Sequence, residues 1–135
     1  MRKIRILVID DDAPFQAAFE RHARKAGFLV DKAFDGEAGL VMAKTEKPDV
    51  ILLDVILPGI DGRDALKQLK ADPTTRAIPV VIYSARGAHS DRVVGLELGA
   101  DEYIDKPFDP DMLLRRLEHL VWKRAQPENP PSGAS

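Results

Sequence analysis

Three consecutive carboxylates, Asp10, Asp11 and Asp12, directly follow a short apolar segment near the start of the chain. An acidic loop of this kind repels phosphate, unlike the glycine-rich loops that bind nucleotides after the first strand of many α/β proteins. Carboxylate oxygens are instead ligands of hard divalent cations, and Mg²⁺ needs only one or two of them together with water and phosphoryl oxygens. The triplet therefore predicts a Mg²⁺ site.

Three further polar residues follow other apolar segments of the chain. They are Asp54, Ser84 and Lys106. A carboxylate nucleophile, a bound cation, a hydroxyl donor and an ammonium group are the components of phosphoryl transfer, in which catalysis is mostly positioning and charge neutralisation. These residues can act together only if the fold brings them to one place.

The segments between these residues alternate between strand and helix patterns. Runs of β-branched and aliphatic residues predict strands over residues 4–9, 28–34, 49–54, 78–83 and 101–105. Apolar residues at three-to-four spacing predict a helix after each strand, the last over residues 109–123. Gly27 is the predicted end of the first helix, and Asp61 is the predicted N-cap of the third.

Five strand–helix units in this order predict an α/β fold. We expect a doubly wound five-stranded parallel sheet of order 2-1-3-4-5, the flavodoxin-like (βα)5 three-layer sandwich with helices on both faces. Its site lies at the C-terminal ends of the first and third strands, where the acidic triplet and Asp54 fall. The predicted domain covers residues 1–124, and residues 125–135 are a predicted disordered tail or linker because they are rich in Pro, Ser and Gly.

The composition limits the classes of function. With 135 residues and 44% hydrophobic content, the chain can form one domain with a packed core. It has no cysteine, which excludes thiolate metal sites and cysteine nucleophiles. A formal charge of −2 disfavours direct binding to nucleic acid or to anionic membranes. The sequence has neither an apolar run of about 20 residues nor a secretion signal, so we expect a cytoplasmic protein.

Four motifs in this order resemble the receiver domain of bacterial two-component response regulators. The motifs are Asp10-Asp11, the run from Leu53 to Gly62, Ser84-Ala85, and the run from Tyr103 to Phe108. The resemblance covers residues 3–124. It implies that Asp54 is the nucleophile that takes a phosphoryl group from the phosphohistidine of a sensor histidine kinase or a phosphotransfer protein.

The resemblance also implies a metal ligand set. Asp11, Asp54 and the backbone carbonyl of Ile56 would bind Mg²⁺ directly, and Asp10 would bind it mainly through water. An aliphatic side chain at position 56 cannot orient a water molecule. Because Ile56 and Arg86 flank the route of the attacking water, we predict slower self-dephosphorylation than in chemotaxis-type receivers, which often carry Asn at the position of Ile56.

Lys106 and Ser84 are implied to contact the phosphoryl group, and the Lys106-Pro107 peptide bond is expected to be cis. Ser84 and Tyr103 form the implied switch, in which the hydroxyl moves toward the phosphate and the aromatic ring rotates into the space that it leaves. This movement changes the surface of the fourth predicted helix, the fifth strand and the last helix, through which the domain signals to a partner or output domain.

A phosphorylation-dependent homodimer through this surface is one interpretation, and a monomer is the other. Several charged residues match the dimer face of receivers joined to winged-helix DNA-binding domains, but Met112 stands where those carry an acid. Several members of the following set match: Arg92, Glu97, Asp101, Arg116 and Lys123.

Two other functions compete with the receiver. A magnesium-dependent phosphohydrolase built on aspartate chemistry usually has a second aspartate two residues after its nucleophile, and this chain has Ile56 there. We therefore expect no turnover of external substrates. A degenerate receiver that only binds partners is least favoured, because the acid, hydroxyl and lysine set is complete. Taken alone, Asp12 is predicted to cap a helix rather than to bind metal, and Tyr103 could be a static strand residue.

Overall fold

The computed structural model describes residues 2–84, 96, 98–105 and 108–125. The elements are β1 (Arg5–Ile9), α1 (Ala13–Lys25), β2 (Leu29–Ala33), α2 (Gly36–Glu46), β3 (Val50–Asp54), α3 (Gly62–Ala71), β4 (Val80–Ser84), β5 (Glu102–Asp105) and a C-terminal helix (Pro110–Ala125). Leu96 is helical, but most of the fourth predicted helix lies outside the described residues. The predicted tail, residues 125–135, also lies outside them except for Ala125, which belongs to the C-terminal helix. Among the helices described, none is both long enough and apolar enough to span a membrane.

The five strands form one parallel sheet in the order β2-β1-β3-β4-β5, which confirms the predicted topology. β1 and β3 are neighbours, so the acidic residues that follow one strand meet the acidic end of the other. Asp54 lies opposite Tyr83, and Ser84 lies opposite Asp105. The C-terminal ends of the four strands β1, β3, β4 and β5 therefore form one continuous edge.

Both faces of the sheet are buried, which confirms the three-layer architecture. Ile6 and Val8 pack toward α1 and the C-terminal helix, whereas Leu7 and Ile9 pack toward α2 and α3. The alternation follows from the two-residue period of a strand. Burial on both sides explains why these strands are apolar at nearly every position.

The fourth strand begins two residues later than predicted and includes Ser84. The amide of Ile78 donates to the carbonyl of Thr75 at 3.0 Å, so this residue belongs to a turn. Pro79 has no N–H to give to the sheet, although its carbonyl accepts from Ile51 at 2.9 Å. The apolar pattern runs across this turn and therefore predicted the wrong boundary.

Aspartate side chains cap three helices at the edge where the strands end. The capping pairs are Asp12 with the amide of Phe15 (3.0 Å), Asp35 with Ala38 (2.7 Å) and Asp61 with Arg63 (2.9 Å). The predicted caps Asp12 and Asp61 are thereby confirmed. Gly27, with φ of +97°, follows the last turn of α1, as its predicted role at the helix end requires.

A buried glutamine holds the ends of β1 and β2 below the acidic loop. The side-chain amide nitrogen of Gln16, on α1, lies within hydrogen-bond distance of the carbonyls of Val8 (3.0 Å), Asp10 (3.1 Å) and Ala33 (2.9 Å), which share its two N–H groups. These carbonyls lie at or near the ends of β1 and β2, and the Ala33 carbonyl also accepts from the amide of Asp10 at 3.0 Å, so the glutamine adds hydrogen bonds that tie the two strand ends together. It thereby fixes the backbone from which Asp10 projects.

Replacing Gln16 with leucine should lower the free energy of unfolding by about 1–3 kcal/mol, because buried carbonyls lose the hydrogen bonds that the glutamine amide donates. Urea unfolding followed by circular dichroism measures this loss. Gln68 is an exposed glutamine on α3 and provides the control. Gln68→Leu should change the free energy by less than about 0.5 kcal/mol. Equal losses in the two variants would contradict the role given to the buried amide.

Candidate functional site

Three carboxylates converge at the C-terminal edge of the sheet. One oxygen each from Asp10, Asp11 and Asp54 lies within 4.8 Å of the other two. Asp10 and Asp54 are buried, whereas Asp11 is exposed. An all-oxygen donor set with one side open to solvent fits a hard cation such as Mg²⁺, which keeps several water ligands. The predicted convergence of these acids is confirmed.

The register of the sheet explains this convergence. Ile9 lies opposite Leu53, so the residues that follow them, Asp10 and Asp54, leave neighbouring strands at the same level. Asp12, the last acid of the triplet, caps α1. The acidic loop thus supplies two members of the cluster and one helix cap.

The Asp54 carboxylate is held by its own turn. Its Oδ1 accepts a hydrogen bond from the amide of Ile56 at 3.1 Å, and the residue is only 6% exposed. This bond restricts rotation of the side chain. The side chain of Ile56 itself is 48% exposed and contributes no polar group beside the carboxylate.

Gly62 lets the first turn of α3 pack directly on the backbone of Asp54. Its amide donates to the carbonyl of Val55 at 3.0 Å. A Cβ at this position would lie 2.2 Å from the Asp54 carbonyl oxygen and 2.7 Å from the Val55 carbonyl oxygen. In the sequence this glycine is visible only as part of a motif, because its steric role depends on a tertiary contact.

The Asp10 carboxylate accepts hydrogen bonds on both of its oxygens. The amide of Asp12 donates to one oxygen at 2.8 Å, and the hydroxyl of Tyr83 donates to the other. Burial, followed by the charge of Asp10, raises the pKa of Tyr83 well above its usual value. The phenol therefore stays protonated near neutral pH and acts as the donor.

Tyr83 was missed by the sequence analysis, which placed it only as a strand residue. One signal was present, since an aromatic residue with a polar tip follows three aliphatic residues on this strand. Buried tyrosine hydroxyls usually have a hydrogen-bond partner. The partner itself could not be identified without the register of the sheet.

Ser84 is fully buried at the end of β4, beside the acidic cluster in the strand order. β5 ends at the same edge with Asp105, its register partner. Lys106, the expected cis bond to Pro107, and Arg86 lie outside the described residues. Their positions stay predictions.

Tyr103 lies on β5 opposite Ile82 and is half-buried. It lines a groove of about 580 Å³ together with residues of the C-terminal helix, including Met112 and His119. This groove lies on the surface for which the receiver resemblance implies signal output. Movement of Tyr103 stays a prediction.

The charged residues of the predicted dimer face are only partly described. Arg116 pairs with Glu102 at 2.9 Å, and Asp101 accepts a hydrogen bond from the amide of Val80 at 2.8 Å. Lys123 is exposed on the C-terminal helix. Arg92 and Glu97 lie outside the described residues, and the homodimer stays a prediction.

Comparison with known families identifies sequence relatives across most of the chain. The family model for the response regulator receiver domain matches residues 6–118. Response regulator PleD of Caulobacter vibrioides is 44% identical over 117 residues, which are 87% of this chain and 26% of that protein. Response regulator MprA of Mycobacterium tuberculosis is 38% identical over 126 residues, which are 93% of this chain and 54% of that protein. The chain thus spans between a quarter and about half of these relatives.

Solved structures share the same fold. The receiver domain of Francisella response regulator 1452 has a TM-score of 0.82 at 32% identity, covering 92% of this chain and all of that one. The chemotaxis response regulator CheY4 of Vibrio cholerae has a TM-score of 0.81 at 25% identity, covering 88% of this chain and 99% of that one. Both agree with the observed strand order and three-layer packing.

Replacing Gly62 with alanine should lower the free energy of unfolding by roughly 3 kcal/mol, the upper end of the usual cost of overpacking. The added methyl group meets backbone atoms, which cannot rotate away. Chemical denaturation measures the loss, and amide NMR shifts of residues 54–56 should report displacement of the turn.

Gly36 is a matched control because it also occupies the first helical position after an aspartate cap. A Cβ there comes closest to side-chain atoms of Ile60, which can move. Gly36→Ala should therefore lower the free energy of unfolding by less than about half of the loss in Gly62→Ala. If Gly62→Ala is the milder of the two variants, the steric account is wrong.

Proposed function

This chain belongs to the family of response regulator receiver domains, and from that membership we propose that Asp54 is the residue that accepts a phosphoryl group. The donor is the phosphohistidine of a sensor histidine kinase or of a phosphotransfer protein. The observation that carries the proposal is the convergence of Asp10, Asp11 and Asp54 within 4.8 Å at the sheet edge.

Asp54 acts as the nucleophile. One carboxylate oxygen forms the new bond to phosphorus while the bond from phosphorus to the histidine nitrogen breaks, and the electron pair returns to the imidazole. The amide of Ile56 and the contact with Gly62 hold the carboxylate and its backbone in place for this reaction. Positioning of this kind supplies much of the rate enhancement in phosphoryl transfer.

The acidic cluster would hold the cation. Asp11, Asp54 and the Ile56 carbonyl would be direct ligands of Mg²⁺, and Asp10 would act through water. A bound Mg²⁺ supplies positive charge that neutralises the phosphoryl oxygens. The donor set fits, because three carboxylates so close together repel one another and a divalent cation between them would offset that repulsion.

Ser84 and Lys106 would contact the phosphoryl oxygens, and Ser84 with Tyr103 would form the switch. Phosphorylation adds roughly −1.5 to −2 charge at a fixed point, which attracts the serine hydroxyl. Tyr103 lines the groove between β5 and the C-terminal helix, so a change in its ring position alters that surface. The partner or output domain would read this change.

Receiver domains belong to signalling and are not a class of enzymes that turn over external substrates. We propose that this chain catalyses only its own phosphorylation and dephosphorylation. The exposed Ile56 side chain supports this proposal, because an aspartate phosphohydrolase would place an acid there. We further propose a cytoplasmic location and no direct binding to nucleic acid or membrane.

Incubation with acetyl phosphate and Mg²⁺ should add one phosphoryl group to the protein, measured by intact mass spectrometry. Asp54→Asn should abolish the gain, and Asp11→Asn should slow it by about tenfold or more because a metal ligand is lost. Asp64→Asn, at an exposed site in the first turn of α3, should behave as wild type. Equal labelling of Asp54→Asn and wild type would refute the assignment of the nucleophile.

Replacing Ile56 with asparagine should speed loss of the phosphoryl group by roughly tenfold, because an amide can orient the attacking water. The decay of the phosphorylated band on phosphate-affinity gels measures this rate. Val41→Asn is the control, since it makes the same kind of change at an exposed site on α2. An unchanged decay rate in Ile56→Asn means that position 56 does not control hydrolysis.

A further inference from the structure

We infer that Tyr83 is a positioning residue for the magnesium site, because its hydroxyl holds the Asp10 carboxylate in the orientation that metal binding requires. The inference rests on the proposed function, since it concerns the same cluster of acids. With Tyr83, the set of residues that form the site includes a second residue near the end of β4, next to Ser84.

The carboxylate of Asp10 is fixed from two directions. The amide of Asp12 donates to one oxygen at 2.8 Å, and the Tyr83 hydroxyl donates to the other. The first donor belongs to the acidic loop itself, whereas the second comes from a strand two positions away in the sheet. Together they restrict both rotation and tilt of the carboxylate plane.

The tyrosine ring is itself held firmly. Its centroid lies 5.5 Å from that of Phe15, on α1, and 5.8 Å from that of Phe108. These two phenylalanine rings are 5.9 Å apart, so the three aromatic rings form one cluster. Tyr83 is fully buried within it, which leaves the hydroxyl little freedom to move. Packing in the aromatic cluster therefore fixes the position of the hydroxyl beside the Asp10 carboxylate.

The hydroxyl also offsets an electrostatic cost. Asp10 is fully buried and lies next to two other carboxylates, so its charge is poorly hydrated and repelled. A neutral donor stabilises the negative charge of Asp10 and leaves it in place. A lysine at this position would instead neutralise that charge. A carboxylate oxygen can accept more than one hydrogen bond, so the tyrosine contact is compatible with a metal-bound water.

Simple core packing does not require this hydroxyl. A phenylalanine would fill the same aromatic cluster, and the three strand residues before Tyr83 are aliphatic. The polar tip is accounted for by its contact with Asp10. Partners that orient metal-site residues in this way typically change metal affinity by about 10- to 100-fold when they are removed.

Tyr83→Phe tests the inference because it removes only the hydroxyl. Isothermal titration of the unphosphorylated protein with Mg²⁺ should give a dissociation constant about tenfold higher than that of wild type. A tyrosine ultraviolet difference spectrum provides a second readout. Mg²⁺ binding should perturb the ultraviolet absorption of the Tyr83 phenol in the wild type. That contribution to the difference spectrum should be missing in Tyr83→Phe.

Thr75→Val is the matched control. The Thr75 hydroxyl is also buried, and it donates to the carbonyl of Leu69 at 2.7 Å in the turn after α3. Loss of either hydroxyl removes a buried hydrogen bond and should reduce the stability of the protein, but Thr75→Val should leave Mg²⁺ affinity unchanged. In an Asp10→Ala background, Tyr83→Phe should have no further effect on affinity, because the tyrosine acts through that carboxylate.

The outcomes separate this inference from the proposed function. If wild type binds Mg²⁺ and Asp11→Asn weakens that binding, but Tyr83→Phe binds as tightly as wild type, the positioning role is overturned and the proposed function stands. Tighter binding by Tyr83→Phe also overturns the role, since the hydroxyl would then compete with the metal. If wild type binds no Mg²⁺, both proposals are wrong.

Discussion

Electrostatic repulsion among three carboxylates is the constraint on which the rest of the site depends. The sheet register forces Asp10, Asp11 and Asp54 together, with oxygens within 4.8 Å of one another. Such a cluster raises the free energy of the protein unless donors and a cation compensate for it. The amides of Asp12 and Ile56 and the Tyr83 hydroxyl are neutral donors to these carboxylates, and the proposed Mg²⁺ is the cation. The repulsion among the carboxylates lowers the stability of the protein, and its relief when a cation binds favours binding of that cation.

The sequence was sufficient to predict the fold and the acidic cluster. Strand and helix periods are local properties, and polar residues that end apolar strands must meet at one edge of a parallel sheet. For the same reason, the caps Asp12 and Asp61 could be recognised from their positions before helices. The start of β4 could not be predicted correctly. The apolar pattern already includes Ile78, but the amide of this residue donates a hydrogen bond within the preceding turn.

Contacts between distant side chains were beyond sequence reasoning. Gln16 donates to carbonyls on two strands, and Tyr83 reaches Asp10 across the intervening strand β3. Gly62 is needed because a helix packs against the carbonyl of Asp54. Each of these roles depends on atoms that the fold brings together from separate parts of the chain, and none leaves a periodic pattern.

In the proposed function, Asp54 accepts the phosphoryl group beside a cation held by the acidic cluster. A crystal structure of the protein with Mg²⁺ and beryllofluoride, an analogue of the phosphoryl group, is the most direct measurement. We expect beryllium bonded to an Asp54 oxygen and one Mg²⁺ coordinated by Asp11, Asp54 and the carbonyl of Ile56. Density for either group at a different position, with Asp54 unmodified, would contradict the central claim.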